Sequence, residues 1–372
     1  MFCPDIRTRW VCAACSCSSA SLLLLFSSGS AARPSTMRPP ISGCAREPGR
    51  TMTSGRTGIT ALHGQVAVTA GNGPGGSWEI AVAAPHPRLR PGVMGYRGIR
   101  LGLNGPRRRL EAPIGAATLV FGFDEPIRIS RAGRPPATLV SVYSGPTTTA
   151  VVGEHGGRLS GIEVTLMPWA AFTLFGIPQY ELADRVLDPD DLPHPLGGGR
   201  AGSRWRSVGD LSAALAALPT WAERFRLLDE VLTRWSAAGT PSSARVMGAW
   251  AELVRSWDTM PVARLAEHVG WSVRQLENRF REQIGLGPKA AARVLRLERA
   301  RRLLAAGRSQ AETAALCGFY DQSHLSSEFK AMLGCTPRQF LTARQLPTGT
   351  PNADRIPGEV TSLVLEAAPD AR

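Results

Sequence analysis

One pattern constrains this sequence more than any other, and it occurs twice near the C-terminal end. Each copy is a short helix with one apolar face, a glycine turn, and a second helix with a polar outer side. The first copy starts at Pro261 and reads Val262-Ala263-Arg264-Leu265-Ala266-Glu267-His268-Val269-Gly270-Trp271-Ser272. Val262, Leu265, Ala266 and Val269 share one helical face. Gly270 suits a helix C-terminus that needs positive φ, and Ser272 suits the N-cap of a helix over 272–282. In that helix Leu276 and Phe280, four residues apart, face inward, which leaves Arg274, Gln275, Glu277, Asn278 and Arg281 outward.

The second copy takes Ala311, Ala314, Ala315 and Leu316 as the apolar face of a helix over 310–316. Cys317-Gly318-Phe319 makes its turn, and Asp321 or Ser323 caps the next helix, which runs to about Leu333. Leu325 and Phe329 point inward; Gln322, Ser323, His324, Ser326, Ser327 and Lys330 point outward. Between the copies, 288–306 predicts one long helix. Val294, Leu295, Leu297, Leu303 and Leu304 are its apolar side, and Lys289, Arg293, Arg296, Arg299, Arg301 and Arg302 give it a basic surface. A lead helix over 244–255 precedes the first copy. Many helix pairs imitate a single such motif, but two in tandem on one connecting helix point to a DNA-binding double helix-turn-helix. Charge agrees: residues 256–345 hold fourteen Lys and Arg against eight Asp and Glu, and the chain carries a net +13. That balance favours a polyanionic partner, although an arginine-rich background contributes to it.

Residues 242–345 resemble the AraC/XylS-type transcription regulators. The resemblance is carried by Gly285-Leu286-Gly287-Pro288-Lys289, Arg296-Leu297-Glu298-Arg299-Ala300 and Cys317-Gly318-Phe319. Phe329-Lys330 and Gly334-Cys335-Thr336-Pro337-Arg338-Gln339-Phe340 complete it. The stretch from Pro85-His86-Pro87 to Arg185-Val186 is similar to the N-terminal domain of some actinobacterial members. The resemblance implies that each recognition helix enters a major-groove segment. Base contacts are then expected from Arg274, Gln275, Glu277 and Asn278 in the first, and from Gln322, Ser323, His324, Ser326 and Ser327 in the second. Arg279, Arg281, Lys289 and Lys330 are assigned to phosphates. Ser327-Glu328 departs from the family, where a basic residue is common before the Phe-Lys pair, so the first motif is expected to supply more of the affinity.

The rest of the chain reads as an α+β protein: a β-rich, sensor-like N-terminal domain followed by the all-α module. Residues 1–77, rich in Gly, Ser, Thr, Pro and Arg, read as a disordered extension whose true start could be Met37 or Met52. Residues 78–192 hold short β-branched and aromatic runs, at 80–82, 117–121, 138–143, 149–152 and 162–166, that suggest a small antiparallel sheet or barrel. A short helix over 168–175 and a further segment over 181–187 follow. Residues 193–240 read as a linker with two amphipathic helices, around Leu211-Leu215-Leu218 and Ala222–Trp235, packing on the sheet or on a second copy. Residues 242–346 form the DNA-binding domain and 347–372 a polar disordered tail.

No phosphate loop, dinucleotide fingerprint or zinc-protease helix is present, so no catalytic residue, metal or cofactor is assigned. Cys12, Cys15 and Cys17 lack a second ligand pair at zinc-site spacing, and Cys317 and Cys335 read as small buried residues. His155 beside Glu154 and Arg107-Arg108-Arg109 read as loop residues, and His86 as exposed. The sequence therefore suggests a cytoplasmic, non-enzymatic, effector-responsive regulator of promoter DNA. A small-molecule effector, RNA polymerase and a second copy of the chain are its open partners, and no membrane is. The competing reading is a DNA-targeted enzyme with catalysis in the N-terminal barrel, against which stands the lack of any cysteine between Cys44 and Cys317.

Overall fold

The computed structural model describes residues 65–193, 205–256, 260–345 and 361–365. Its N-terminal part is built from β1 (Val66–Gly73), β2 (Gly76–Ala83), β3 (Val93–Leu103), β4 (Arg107–Glu111), β5 (Ala117–Gly122) and β6 (Ile127–Arg131). After them come β7 (Arg134–Leu139), β8 (Val142–Ser144), β9 (Val151–His155), β10 (Arg158–Leu166), helix α1 (Pro168–Phe175) and the two-residue β11 (Val186–Leu187). The strands form two antiparallel sheets, one ordered β1-β2-β3-β10-β5-β8-β11 and the other β12-β4-β9-β6-β7, where β12 (Ser362–Leu365) comes from the far end of the sequence.

The larger sheet has one buried face because its strands alternate. Ile162, Val164 and Leu166 of β10 and Ala117, Leu119 and Phe121 of β5 are fully buried, two residues apart along each strand. Helices α2 (Val208–Ala217) and α3 (Trp221–Ala238) cover that face. Ser207 caps α2, and Thr220 caps α3 in a reciprocal box with Glu223. Helix α3 brings Phe225, Leu228, Leu232 and Trp235 into the core at helical spacing. Trp221 lies so close to β3 that a Cβ on Gly98 would stand 2.4 Å from its ring, which explains the glycine. Tyr96 stacks on Phe225 at 5.5 Å and donates its hydroxyl to Asp229 at 2.9 Å. The two helices read as part of a linker therefore belong to the N-terminal core, packed within the single chain.

Other expectations change as well. The segment expected to be disordered up to residue 77 contains β1 and the start of β2, and the expected disordered tail contains β12. Val66-Ala67-Val68 is ordered by a hairpin with the neighbouring β2, and Ser362-Leu363-Val364-Leu365 by pairing with the distant β4. Residues 1–64, with the cysteine run, lie outside the described residues. Arg107-Arg108-Arg109 are not a solvated loop: they form β4, with Arg108 on Glu154 at 2.5 Å and Arg109 on Glu111 at 3.2 Å. His155 closes β9, buried, with Nδ1 accepting the Gly157 N–H at 3.2 Å. His86 is half-buried, and its backbone N–H donates to Asp229 at 2.7 Å. The segment 181–187 resolves into a 3-10 helix, Gln179–Glu181, and β11.

A second core organises the helices α4 (Ala244–Ser256), α5 (Val262–His268), α6 (Val273–Ile284), α7 (Pro288–Ala305), α8 (Gln310–Leu316), α9 (Gln322–Leu333) and α10 (Pro337–Gln345). Trp250 of α4 stacks on Phe280 at 6.1 Å, and Phe329 meets Phe340 edge-on at 5.6 Å. Ala112, Trp169 and Leu363 also enter this core, so it reaches beyond the helical segment itself.

Candidate nucleic-acid interface

The two helix-turn-helix units share one turn geometry. In the first, Gly270 adopts φ +68°, the Gly270 N–H donates to Glu267 O at 3.0 Å, and the Trp271 N–H donates to Ala266 O at 2.9 Å. In the second, Gly318 adopts φ +70°, with Gly318 N–H to Ala315 O at 3.3 Å and Phe319 N–H to Ala314 O at 3.0 Å. Each glycine thus ends one helix and redirects the chain within a few residues, as a left-handed cap does. The following helices start on different caps. Ser272 accepts the Gln275 N–H at 3.2 Å while Gln275 accepts the Ser272 N–H at 3.0 Å. Asp321 accepts the His324 N–H at 2.7 Å. Leu276 and Phe280, and in the second unit Leu325 and Phe329, are fully buried.

These anchors fix what α6 and α9 present to solvent. Arg274, Glu277, Asn278, Arg279 and Arg281 on α6 are exposed, as are Gln322, Ser323, His324, Ser327 and Lys330 on α9 and Lys289 on α7; Ser326 is half-buried. Arg274, Arg281, Lys289 and Lys330 form no ion pair among the described residues. Arg279 pairs with Glu282 at 2.9 Å, and Gln322 donates to Gln310 at 3.3 Å. Two expected base-contacting residues are engaged by the fold. The acceptor oxygen of Gln275 is taken by the capping box, and His324 packs edge-on against Phe319 while its Nδ1 accepts the Tyr320 N–H at 3.2 Å.

The connecting helix is less of a basic surface than its sequence implies. Arg293 is clamped to Glu328 by bonds of 2.5 and 3.1 Å, and Arg296 lies 4.9 Å over the Phe319 ring. Arg302 pairs with Glu298. Arg301 is 1% exposed and reaches Pro113 O at 3.0 Å, and burial lowers its pKa to about 10, still protonated at neutral pH. Glu328, which breaks the family pattern, thus ties α9 to α7, and the hydrogen bond from Arg293 holds its carboxyl below the ordinary range. The inward side of α8 also differs from expectation. Thr313 and Ala314 are buried, whereas Ala311, Ala315 and Leu316 are exposed, because the stripe continues to the buried Cys317 instead. Burial raises the thiol pKa of both Cys317 and Cys335.

Two further residues stand beside the turns without being among the expected contacts. Tyr320, 93% exposed, stands directly before the cap of α9 with its ring in solvent. An aromatic residue after the turn Phe, out of phase with the buried positions, was the available signal. Arg245 of α4 lies 5.5 Å from the Trp271 ring, beside the first turn, and nothing in the local periodicity separates it from other exposed arginines.

The N-terminal part touches the C-terminal end of both exposed helices. Gly285, which caps α6, sits so near the fully buried Gln179 that a Cβ would lie 2.9 Å from Gln179 O. Gln179 in turn accepts the hydroxyl of Tyr143 at 3.1 Å, a phenol whose pKa burial raises. At the other unit, the Ala150 N–H donates to Met332 O at 2.7 Å, in the last turn of α9.

Comparison with known proteins agrees with this geometry. A helix-turn-helix domain family matches residues 265–343. The chain is 37% identical over 82 residues to the HTH-type transcriptional regulator ArgR of Pseudomonas aeruginosa, covering 22% of this chain and 25% of that one. It is 33% identical over 90 residues to the HTH-type transcriptional activator RhaS of Escherichia coli, covering 24% and 31% respectively. The match thus spans about a quarter to a third of these relatives. Among solved structures, ToxT of Vibrio cholerae is similar at 12% identity with a TM-score of 0.39, covering 64% of this chain and 96% of that one. The C-terminal domain of AraT from Geobacillus stearothermophilus is similar at 21% identity with a TM-score of 0.28, covering 29% and 93%. The C-terminal part of this chain is a double helix-turn-helix module of the AraC/XylS family.

Proposed function

We propose that this protein is a sequence-specific, DNA-binding transcription regulator whose N-terminal part makes it responsive to a small-molecule effector. One observation carries the DNA reading: two units of like turn geometry hold their second helices with polar side chains in solvent and apolar ones locked in one core. Arg274, Glu277 and Asn278 on the first helix, and Gln322, Ser323, Ser326 and Ser327 on the second, read base edges. Gln275 and His324 act from the rim, since their acceptors are already engaged. Arg279, Arg281, Lys289 and Lys330 hold phosphates, with Arg245 and Tyr320 beside them on the backbone. That matched relatives are named as a regulator and an activator supports this reading.

Effector response is supported by the contacts of Gln179 with Gly285 and of Ala150 with Met332, through which a change in the N-terminal core would reach both DNA helices. RNA polymerase and a second copy of the chain are partners of the same proposal. The test is selection of binding sites from random duplex DNA by the full chain. Enrichment of a motif with two separated blocks is expected. Recovery of random sequence, at affinities matching bulk competitor, would refute specific recognition. Adding candidate metabolites to the selected complex then tests the effector, and an unchanged affinity across every chemical class would remove that part.

A further inference from the structure

Strand β12 lies beyond the DNA module, yet it completes the smaller sheet of the N-terminal part. It runs antiparallel to β4 in the register Ser362↔Glu111, Leu363↔Leu110, Val364↔Arg109 and Leu365↔Arg108. The Ala112 N–H extends the ladder to Thr361 O at 2.8 Å. Arg344 of α10 donates to Ser362 O at 2.7 Å, and the Arg109 guanidinium donates to Ser362 Oγ. Leu363 is 5% exposed and sits in the core of the helical module, with Leu110 and Leu365 packed against it. From the other side, α7 grips the turn that follows β4. Arg301 donates to Pro113 O at 3.0 Å, and the Gly115 N–H donates to Glu298 at 3.2 Å. A Cβ on Gly115 would stand 2.6 Å from Leu295. Strand β4 and its turn are therefore held between the connecting helix α7 and the segment that follows α10.

We infer that the outer edge of β4 is a strand-docking site, and that residues 361–365 occupy it as a strap coupling the N-terminal part to the DNA module. A sheet edge receives an added strand through backbone hydrogen bonds, and one apolar side chain in a pocket sets the register. Leu363 is that side chain. The strap restrains orientation and does not hide the DNA surface, because Arg274, Glu277, Asn278, Gln322, Ser323 and Ser327 stay exposed with β12 in place. Its part in DNA binding rests on the proposed function; its docking on β4 does not.

The test compares the full chain, a variant ending at Gln345, and full-length Leu363→Asp. Amide exchange over 107–111 is expected to be about tenfold faster or more in both variants, since an unpaired edge opens locally. A synthetic peptide of residues 359–367 should restore slow exchange to the shortened protein. Affinity for the selected duplex should differ between full and shortened chains by about fivefold or more, the scale of a coupling between sites. Unchanged exchange in β4, or a peptide without effect on it, would overturn docking. Equal DNA affinities with altered exchange would overturn the coupling. Should the shortened chain fail to fold, the double variant Glu111→Cys with Ser362→Cys in the full chain decides: the cross-strand disulfide must form on mild oxidation, and its absence refutes the register. A full chain that binds no duplex would sink the proposed function and leave the exchange result to judge the strap.

Discussion

Replacing Arg274 by alanine separates reading of bases from holding of phosphates. Arg274 is exposed on α6, two residues before the buried Leu276, and has no ion-pair partner among the described residues. Its removal breaks no internal bond, so folding stability should move by no more than about 0.5 kcal/mol. The loss should fall on DNA. A guanidinium forked onto a guanine edge is worth about 1–3 kcal/mol of discrimination, which is roughly 5- to 150-fold in affinity for the preferred duplex. Arg281, on the same helix and equally unpaired, is assigned to a phosphate and serves as the control. Arg281→Ala should weaken all duplexes alike and lower the slope of log affinity against log salt by about 0.9. Fluorescence anisotropy with the selected site and single-base variants, at several salt concentrations, reads both quantities. If Arg274→Ala weakens every duplex equally and flattens the salt slope, Arg274 is a phosphate ligand and the assignment of α6 to base reading loses its best residue.

Phe280→Ala should cost about 3–5 kcal/mol in urea unfolding of the helical module, because a fully buried ring that stacks on Trp250 is lost; a change under 1 kcal/mol would contradict the core assignment. Gly270→Ala meets no atom within 4 Å yet must adopt φ +68°, so only backbone strain of about 1–2 kcal/mol should appear in the same assay. Glu328 has a folded pKa below the ordinary carboxylate value. The stability it contributes is therefore complete above that ordinary value and is lost as pH falls through the lowered one. Glu328→Gln should accordingly flatten the fall of melting temperature as pH drops below the ordinary carboxylate value, and an unchanged fall would mean the Arg293 pair is not stabilising.

The DNA module was legible because each of its elements is specified locally. Gly270 and Gly318 stop their helices, Ser272 and Asp321 start the next, and a 3.6-residue period places Leu276, Phe280, Leu325 and Phe329 inside. Side-chain commitments within it were not legible. Nothing in the spacing says that Arg301 turns inward to Pro113 or that Arg293 meets Glu328, since both depend on what stands opposite. The N-terminal part was read only where β-branched runs were dense. Strand β4, written Arg-Arg-Arg-Leu-Glu, carries no apolar alternation and is ordered by Glu154, Glu111 and β12. Strand β12 is four residues long, and a run of that length is silent until its partner is known. The exposed set on α6 and α9 followed from which residues had to be inside. What Gln275 and His324 do with their acceptors did not, because capping and ring packing compete for the same atoms.

The pairing of β4 with β12 also bears on how the protein is made. Arg109 and Ser362 are 253 positions apart in the chain. During synthesis, β4 emerges long before the segment that completes it, and its outer backbone groups wait unpaired while everything between is translated. Contacts of such long separation close late and slowly, and an open sheet edge in the meantime can capture the wrong strand. The arginines of β4 keep that waiting edge charged, which discourages stray pairing between nascent chains until Leu363 arrives.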